Sequence, residues 1–276
     1  MERDKTGSLD PWLSGEKLYG EDFSAEQIAQ WFKEESEGYA ELGNKDPSNY
    51  FYAYHALNRI LGFSYLKGVE RFEKVLGFGA AWGHEFEPLA DRISHLTIIE
   101  PSEKMRSTRI GSLKPVYVMP RVDGRLEFAD QTFDMVTCFG TLHHIPNVTF
   151  VLGELIRVLK SSGTLLLREP IISFGDWTKP RPGLTKNERG IPLACFEKIF
   201  SEQPVSIIRM NHCFTLTYQL QLMLKSHLKK PLYSYGLYVR FDRMLSRLLR
   251  GNVHYHAVRR LQRIAPSAVF YVVRRT

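Results

Sequence analysis

From Lys74 to Glu100 the chain reads KVLGFGAAWGHEFEPLADRISHLTIIE, and no other stretch limits its fold so tightly. Val75, Leu76 and Phe78 form the apolar end of a buried strand. Gly79 and Gly83 bracket Ala80, Ala81 and Trp82, and residues with little or no Cβ let a ligand approach the backbone closely. A helix over about 83–92 aims its N-terminal N–H groups at this turn and favours an anionic ligand group there. Leu96 to Ile99 read as a second strand, ended by Glu100, 21 residues after Gly79. An acid about that far on commonly binds ribose hydroxyls. The series predicts a nucleotide-binding unit, although an ordinary tight strand-to-helix turn uses the same residues. The dinucleotide pattern does not fit, because the sixth position from Gly77 is the bulky Trp82 and the glycine comes one residue later.

The 276 residues hold one large α/β domain with additions, or two small ones. There is no early apolar run and no uncharged run of 18 residues, so neither a signal peptide nor a membrane span is expected. Cys138, Cys195 and Cys213 are odd in number and lack C-x-x-C spacing. They read as free thiols of a cytoplasmic protein, not as a zinc site or a disulfide framework. The net charge of +7 is uneven: from Lys225 to Thr276 there are twelve Lys/Arg and one acid, Asp242. Such a surface suits an anionic partner, or is simply a solvated helical face.

In chain order, Ser24 with Gln27 predicts a capped helix that runs to about Leu42, with Ile28, Trp31 and Phe32 on its apolar face. Asp46-Pro47 predicts the start of a second helix, marked by Tyr50, Phe51, Tyr54, Leu57 and Leu61 and stopped by Gly62. Further strands are expected over 115–119, from Phe133, over 164–167 and over 206–214, with an amphipathic helix over 148–160. The long Pro- and Gly-rich segment 171–192 follows a strand end and reads as an acceptor-site loop or a disordered excursion. Three helices are then expected over 216–228, 235–249 and 253–264, before a last strand over 267–273. Phe241, Met244, Leu245, Leu248 and Leu249 make an apolar stripe beside Arg243, Arg247 and Arg250. Such a stripe reads first as core, and otherwise as a basic amphipathic helix on a membrane surface.

Several of these segments together resemble the class I S-adenosylmethionine (SAM) methyltransferases. The turn Gly77-Phe78-Gly79-Ala80-Ala81-Trp82-Gly83 resembles their first motif, with glycine at 77 where the family usually has an acid and alanine at 81 where it usually has glycine. Glu100-Pro101-Ser102 and Met105 resemble the acid and the adenine-pocket residues. Asp123-Gly124 resembles the pair that contacts the adenine amino group. The stretch from Gln131 to Ile145, with Phe133-Asp134, Phe139-Gly140 and Leu142-His143-His144, carries the strongest likeness. Glu154 to Lys160 and Gly163 continue it, and the resemblance spans about 72–170.

That resemblance implies a Rossmann-like seven-stranded α/β sheet of order 3-2-1-4-5-7-6, strand seven antiparallel, and SAM as cofactor. It places Gly77, Phe78, Gly79, Ala80, Ala81, Gly83, Glu100, Pro101, Met105, Asp123, Gly124, Phe139 and Gly140 in the cofactor site. The expected parts are an N-terminal helical lid (1–70), the core (71–214), a basic helical insertion (215–265) and the last strand (266–276). Aromatic faces in the lid suit a sulfonium cation.

Methyl transfer to a hydroxyl gains from a positioned base. His143, His144 and Glu169 follow adjacent strands and are the candidates, with Asp176 and His212 as weaker ones. No metal-ligand spacing is visible. The expected reaction is O-methylation of a small molecule, sugar or phosphate-linked glycan, with an anionic acceptor and peripheral membrane contact as further expectations and nucleic acid disfavoured. An RNA-modifying enzyme and a non-catalytic SAM- or partner-binding protein stay open as alternatives.

Overall fold

The computed structural model describes residues 11–42, 51–175, 181 and 183–276, with the side chains of 37–42 left aside. Seven strands form one sheet: β1 Phe72–Phe78, β2 Ile93–Ile99, β3 Val116–Val118, β4 Phe133–Phe139, β5 Leu159–Pro170, β6 Val205–Cys213 and β7 Ala268–Arg275. Their order is β3-β2-β1-β4-β5-β7-β6. The first five pair in parallel, and β7 runs antiparallel between β5 and β6. Strand order reverses between β1 and β4, and ligands of open α/β sheets sit beyond the carboxyl ends of the strands at such a point.

Period-two alternation sorts neighbouring apolar residues to opposite faces. Leu76, Val136, Leu165 and Tyr271 join one core with α4 (Val148–Arg157) and α5 (Leu193–Ser201). Val75, Met135, Leu166 and Phe270 join the other, against α3 (His55–Leu61). Before these helices lie α1 (Pro11–Ser14) and α2 (Ala25–Leu42). The capping box at the start of α2 forms as expected, with Ser24 N donating to Gln27 Oε1 at 2.9 Å and Gln27 N to Ser24 Oγ at 3.4 Å.

Two expected helices differ, and the segment after β2 holds only a short turn. Residues His84–Arg92 form a 3₁₀ helix, because Pro88 removes an N–H donor inside it. After Pro101 there is a single 3₁₀ turn, Glu103–Met105. The expected start at Asp46-Pro47 lies outside the described residues, and the described helix α3 begins at His55.

Between β6 and β7 stand α6 (Thr217–Leu224) and α7 (Gly236–Leu249). The third expected helix is only a 3₁₀ turn, Arg260–Arg263. Its upstream part is irregular, with Tyr255 Oη drawn inward to donate to Gly190 O at 2.8 Å.

The stripe on α7 is not core. Val239, Asp242 and Ser246 face inward, while Phe241, Met244 and Leu248 are exposed. Asp242 fixes this orientation by accepting from Phe214 N (2.7 Å) and Thr215 N (2.8 Å). Those groups belong to a turn in which Phe214 and Leu216 hold left-handed φ values of 65° and 55°. Among the described residues, no helix is long and apolar enough to cross a membrane.

Candidate active site

The carboxyl ends of β1, β2 and β4 open into a cleft of about 910 Å³ lined by Phe78, Gly79, Ala81, Glu100, Pro101, Met105, Gly124, Thr141 and His144. Ile28, Trp31, Phe32, Glu35 and Ser36 of α2 also line it, so the N-terminal helix covers the strand ends. Trp31 Nε1 ties this cover to the sheet by donating to His144 O at 2.7 Å.

Gly79 is set by its left-handed backbone and by the Thr141 side chain packed against it. Gly79 has φ +66°, and a Cβ there would lie 2.3 Å from Thr141 Cγ2. Glu100 is buried at the end of β2, where Oε2 accepts from Ala81 N (3.1 Å) and Oε1 from Ser102 N (2.9 Å). Burial raises its pKa, against the pull of these two N–H groups. Each oxygen keeps a further acceptor site for a sugar hydroxyl.

A second chamber adjoins the first across Gly79 and Ala81 and includes Tyr52, Tyr54, Ala80, Glu85, Phe139 and Arg168. Glu85 is buried and accepts from Thr137 Oγ1 at 2.5 Å; burial pushes its carboxyl up to about 7. The Arg168 guanidinium donates to Asn58 Oδ1 at 3.0 Å and stacks 4.0 Å over the Tyr54 ring. Opposite charges thus face one small space.

A third chamber, of about 560 Å³, shares Tyr54 and Arg168 with the second and adds Gly140, His143, Glu169, Phe174, Phe214 and Ser267. Glu169 is fully buried and accepts from Thr141 N (2.8 Å), Leu142 N (2.9 Å) and His143 Nδ1 (2.7 Å). Burial alone would raise its pKa, but the His143 bond and the backbone donors outweigh it and hold the carboxyl below its ordinary value. An ionised Glu169 needs a donor, so Nδ1 of His143 carries the proton and Nε2 is the basic nitrogen. Burial, reinforced by His144 alongside, lowers the pKa of His143 and keeps the ring neutral. His144 Nδ1 stands 2.9 Å from Glu35 Oε2 and 3.3 Å from Thr185 Oγ1.

Not every cofactor-site candidate reaches these chambers. Gly77 lies under the Phe86 ring, 2.8 Å from where its Cβ would be, and Gly83 under Ile110 and Ile98. Both are glycine for packing. Asp123 turns its carboxylate to Arg121 Nε at 3.2 Å, while Gly124 beside it lines the cleft. Ala80 and Phe139 line the second chamber and Gly140 the third. His212 lies in β6, apart from the three chambers, and Asp176 lies outside the described residues.

The structure adds residues that chain order does not mark. Glu35 falls four residues after Trp31 on the apolar face of α2, where an acid was the available signal. Glu85 sits just beyond the glycine turn, and Arg168 is a charge at the end of a buried strand. Arg189 is fully buried and donates to Tyr19 O, His143 O, Ile145 O and Pro146 O at 2.9–3.2 Å. His143, His144 and Glu188 bring possible metal-ligating atoms within 4.8 Å of one another. That proximity is invisible in the sequence because Glu188 comes from the loop after β5.

Two family models, each described as a methyltransferase domain, match residues 76–167 and 123–214. No curated protein sequence matches the chain. Among solved structures, a candidate sarcosine dimethylglycine methyltransferase from Galdieria sulphuraria aligns with TM-score 0.52 at 15% identity, over 79% of this chain and 84% of that one. A SAM-dependent methyltransferase from Mesorhizobium loti aligns with TM-score 0.51 at 14% identity, over 80% and 98%. The complex of the Haloferax volcanii Trm112 activator with a candidate methyltransferase gives 0.52 at 12%, over 91% and 97%. At these identities the likeness is one of fold. The matched domains, which jointly span residues 76–214, together with the observed strand order and the chambers at the β1/β4 switch, identify that stretch as a SAM-dependent methyltransferase domain of the class I type.

Proposed function

We propose that this enzyme methylates a hydroxyl of a small molecule, sugar or phosphate-linked glycan, with His143 as general base and Glu169 as the residue that positions it. Bound SAM supplies a methyl group on a positively charged sulfur, open to in-line displacement. The first chamber fits its nucleoside: Gly79 and Ala81 line it with small residues, and Glu100 offers acceptors for ribose hydroxyls. The second fits its amino-acid end, with Glu85 for the ammonium and Arg168 for the carboxylate. This leaves the third chamber, beyond Arg168, for the acceptor.

The observation that carries the base assignment is the buried Glu169–His143 pair at 2.7 Å on the wall of that third chamber. Glu169 fixes the tautomer, and the neutral ring presents Nε2 to a hydroxyl proton as the new bond forms. A base so held contributes roughly 10²–10⁴-fold. The apolar rings of Tyr54, Phe174 and Phe214 suit a compact acceptor and exclude water. Arg168, which borders the acceptor chamber, supports an anionic acceptor.

Turnover on a metabolite and glycan extract, read with labelled SAM, tests the reading. His143→Gln should lower turnover by about 10²–10⁴-fold while calorimetric SAM affinity is retained. Turnover that survives His143→Gln would remove the base role. Turnover abolished by a chelator and restored by added zinc would replace the base with a metal ion held by His143, His144 and Glu188.

A further inference from the structure

An inverted helix sits on the surface between β6 and β7. On α7 the polar Asp242 and Ser246 point inward, where Asp242 holds the turn after β6 and Ser246 Oγ lies 2.7 Å from Thr215 Oγ1. The large apolar side chains point out. Leu237 is 86% exposed, Phe241 48%, Met244 57% and Leu248 74%. They recur at i, i+4, i+7 and i+11, which at roughly 100° per residue makes one outward stripe. Arg240, Arg243 and Arg247 fall along one shoulder of it.

The neighbouring elements repeat the pattern. Tyr218, Leu222 and Met223 of α6 are exposed, followed by Lys225, Lys229 and Lys230. Leu261 is 76% exposed between Arg260 and Arg263. From Thr215 to Ala265 there are ten Lys/Arg and one acid, and that acid is the buried Asp242. The outer surface of the segment thus offers cations and aliphatic side chains with no exposed acidic side chain among them.

Aliphatic groups and cations side by side fit one occupant best. Going beyond the methylation reading, we propose that the segment 215–265 docks this enzyme on an anionic phospholipid bilayer, with the α7 stripe entering the acyl boundary and the arginines reaching lipid phosphates. Long basic side chains keep their heads at phosphate level while their stems cover apolar surface. A second copy of the chain would set two surfaces of the same positive sign against each other. A protein interface core is depleted of charge at its centre. Nucleic acid engages cations and flat rings and has no apolar layer to receive Leu237 or Leu248.

Sedimentation of the full-length protein with vesicles tests this. Phosphatidylcholine vesicles containing about a third phosphatidylglycerol should pull down the protein at low salt, and pure phosphatidylcholine should not. Each basic side chain near an anionic surface contributes about 1 kcal/mol, close to fivefold. Arg240→Glu with Arg247→Glu should therefore weaken binding by tenfold or more. Leu237→Glu with Leu248→Glu should weaken it at least as much, because the apolar contact is lost as well. Both pairs lie on the solvent side of α7, so circular dichroism and SAM affinity should match the unmodified protein.

Absence of binding to the anionic vesicles would overturn the proposal, as would binding that either variant leaves intact. A dimer in sedimentation velocity that Leu237→Glu with Leu248→Glu dissolves, without vesicle binding, would assign the stripe to a second copy. RNA binding tighter than vesicle binding at the same salt, and unchanged by Leu237→Glu with Leu248→Glu, would assign the surface to nucleic acid. None of these outcomes depends on turnover, so they leave the methylation reading to its own test.

Discussion

The acid that the family usually carries in the first motif is absent at Gly77, and the ring of Phe86 shows why it cannot stand there. Any Cβ at 77 meets Phe86 at 2.8 Å and Ala80 Cβ at 2.9 Å. Gly77→Ala should therefore lower stability by about 1–3 kcal/mol in denaturant unfolding, the usual cost of overpacking. A carboxylate is present all the same, eight residues on, as Glu85. Because burial pushes Glu85 up to about 7, its charge depends on pH near neutrality. An ammonium ligand needs the ionised form, so SAM affinity should fall as pH drops below about 7. Glu85→Gln should weaken binding at pH 8 by about tenfold and flatten the pH profile, both measurable by calorimetry. A Glu85→Gln protein with unchanged affinity across that range would remove Glu85 from the site. The sequence shows the glycines and Glu100 because backbone approach and strand ends follow from short-range pattern. It hides Glu85 and Glu35, whose partners Thr137 and His144 are 52 and 109 residues away in the chain.

Elements were legible where period and capping agree, as in α2, where helical period alone is strong, as in α4, and in the strands that short buried apolar runs mark. They were misread where one residue changes the hydrogen-bond pattern. Pro88 turns an expected α-helix into a 3₁₀ helix, and the stripe on α7 reads as core until Asp242 is seen to claim the inward side. The loop after β5 is held more firmly than its composition suggests. Arg189 fills four carbonyls that come from the segment before α2 and from the turn after β4, and its guanidinium lies 5.1 Å from the centre of the Trp31 ring. Arg189→Met takes the guanidinium from Tyr19 O and Ile145 O, while His143 O and Pro146 O keep the backbone donors Arg189 N and Val148 N, so the loss is about 1–3 kcal/mol for each of the first two that water cannot reach. Thermal unfolding should show a loss of roughly 2 kcal/mol or more, and acceptor KM should rise further than SAM affinity changes.

At the scale of the molecule, the three chambers line up across the β1/β4 switch and draw walls from α2, five strands and the loop after β5. A ligand held by so many parts stabilises all of them. Saturation with SAM at about a hundred times its Kd should add about 2.7 kcal/mol, seen as a melting temperature higher by roughly 5 °C. The sheet order followed from the family resemblance and is the order observed, while the residues by themselves marked only the strands. The basic segment was readable in charge but not in posture, since whether a helix shows its apolar side to the core or to the outside is decided by what it packs against. One feature of that segment reaches further. Its two ends are neighbours: Cys213 closes β6 directly opposite Ala268, which opens β7. A piece of chain that leaves and returns through a single residue pair is a cassette. The inner side of that cassette is committed, since Asp242 holds the Phe214 turn and Tyr255 Oη donates to Gly190 O, whereas the outward side chains of α7 line no chamber and can change without touching the chemistry.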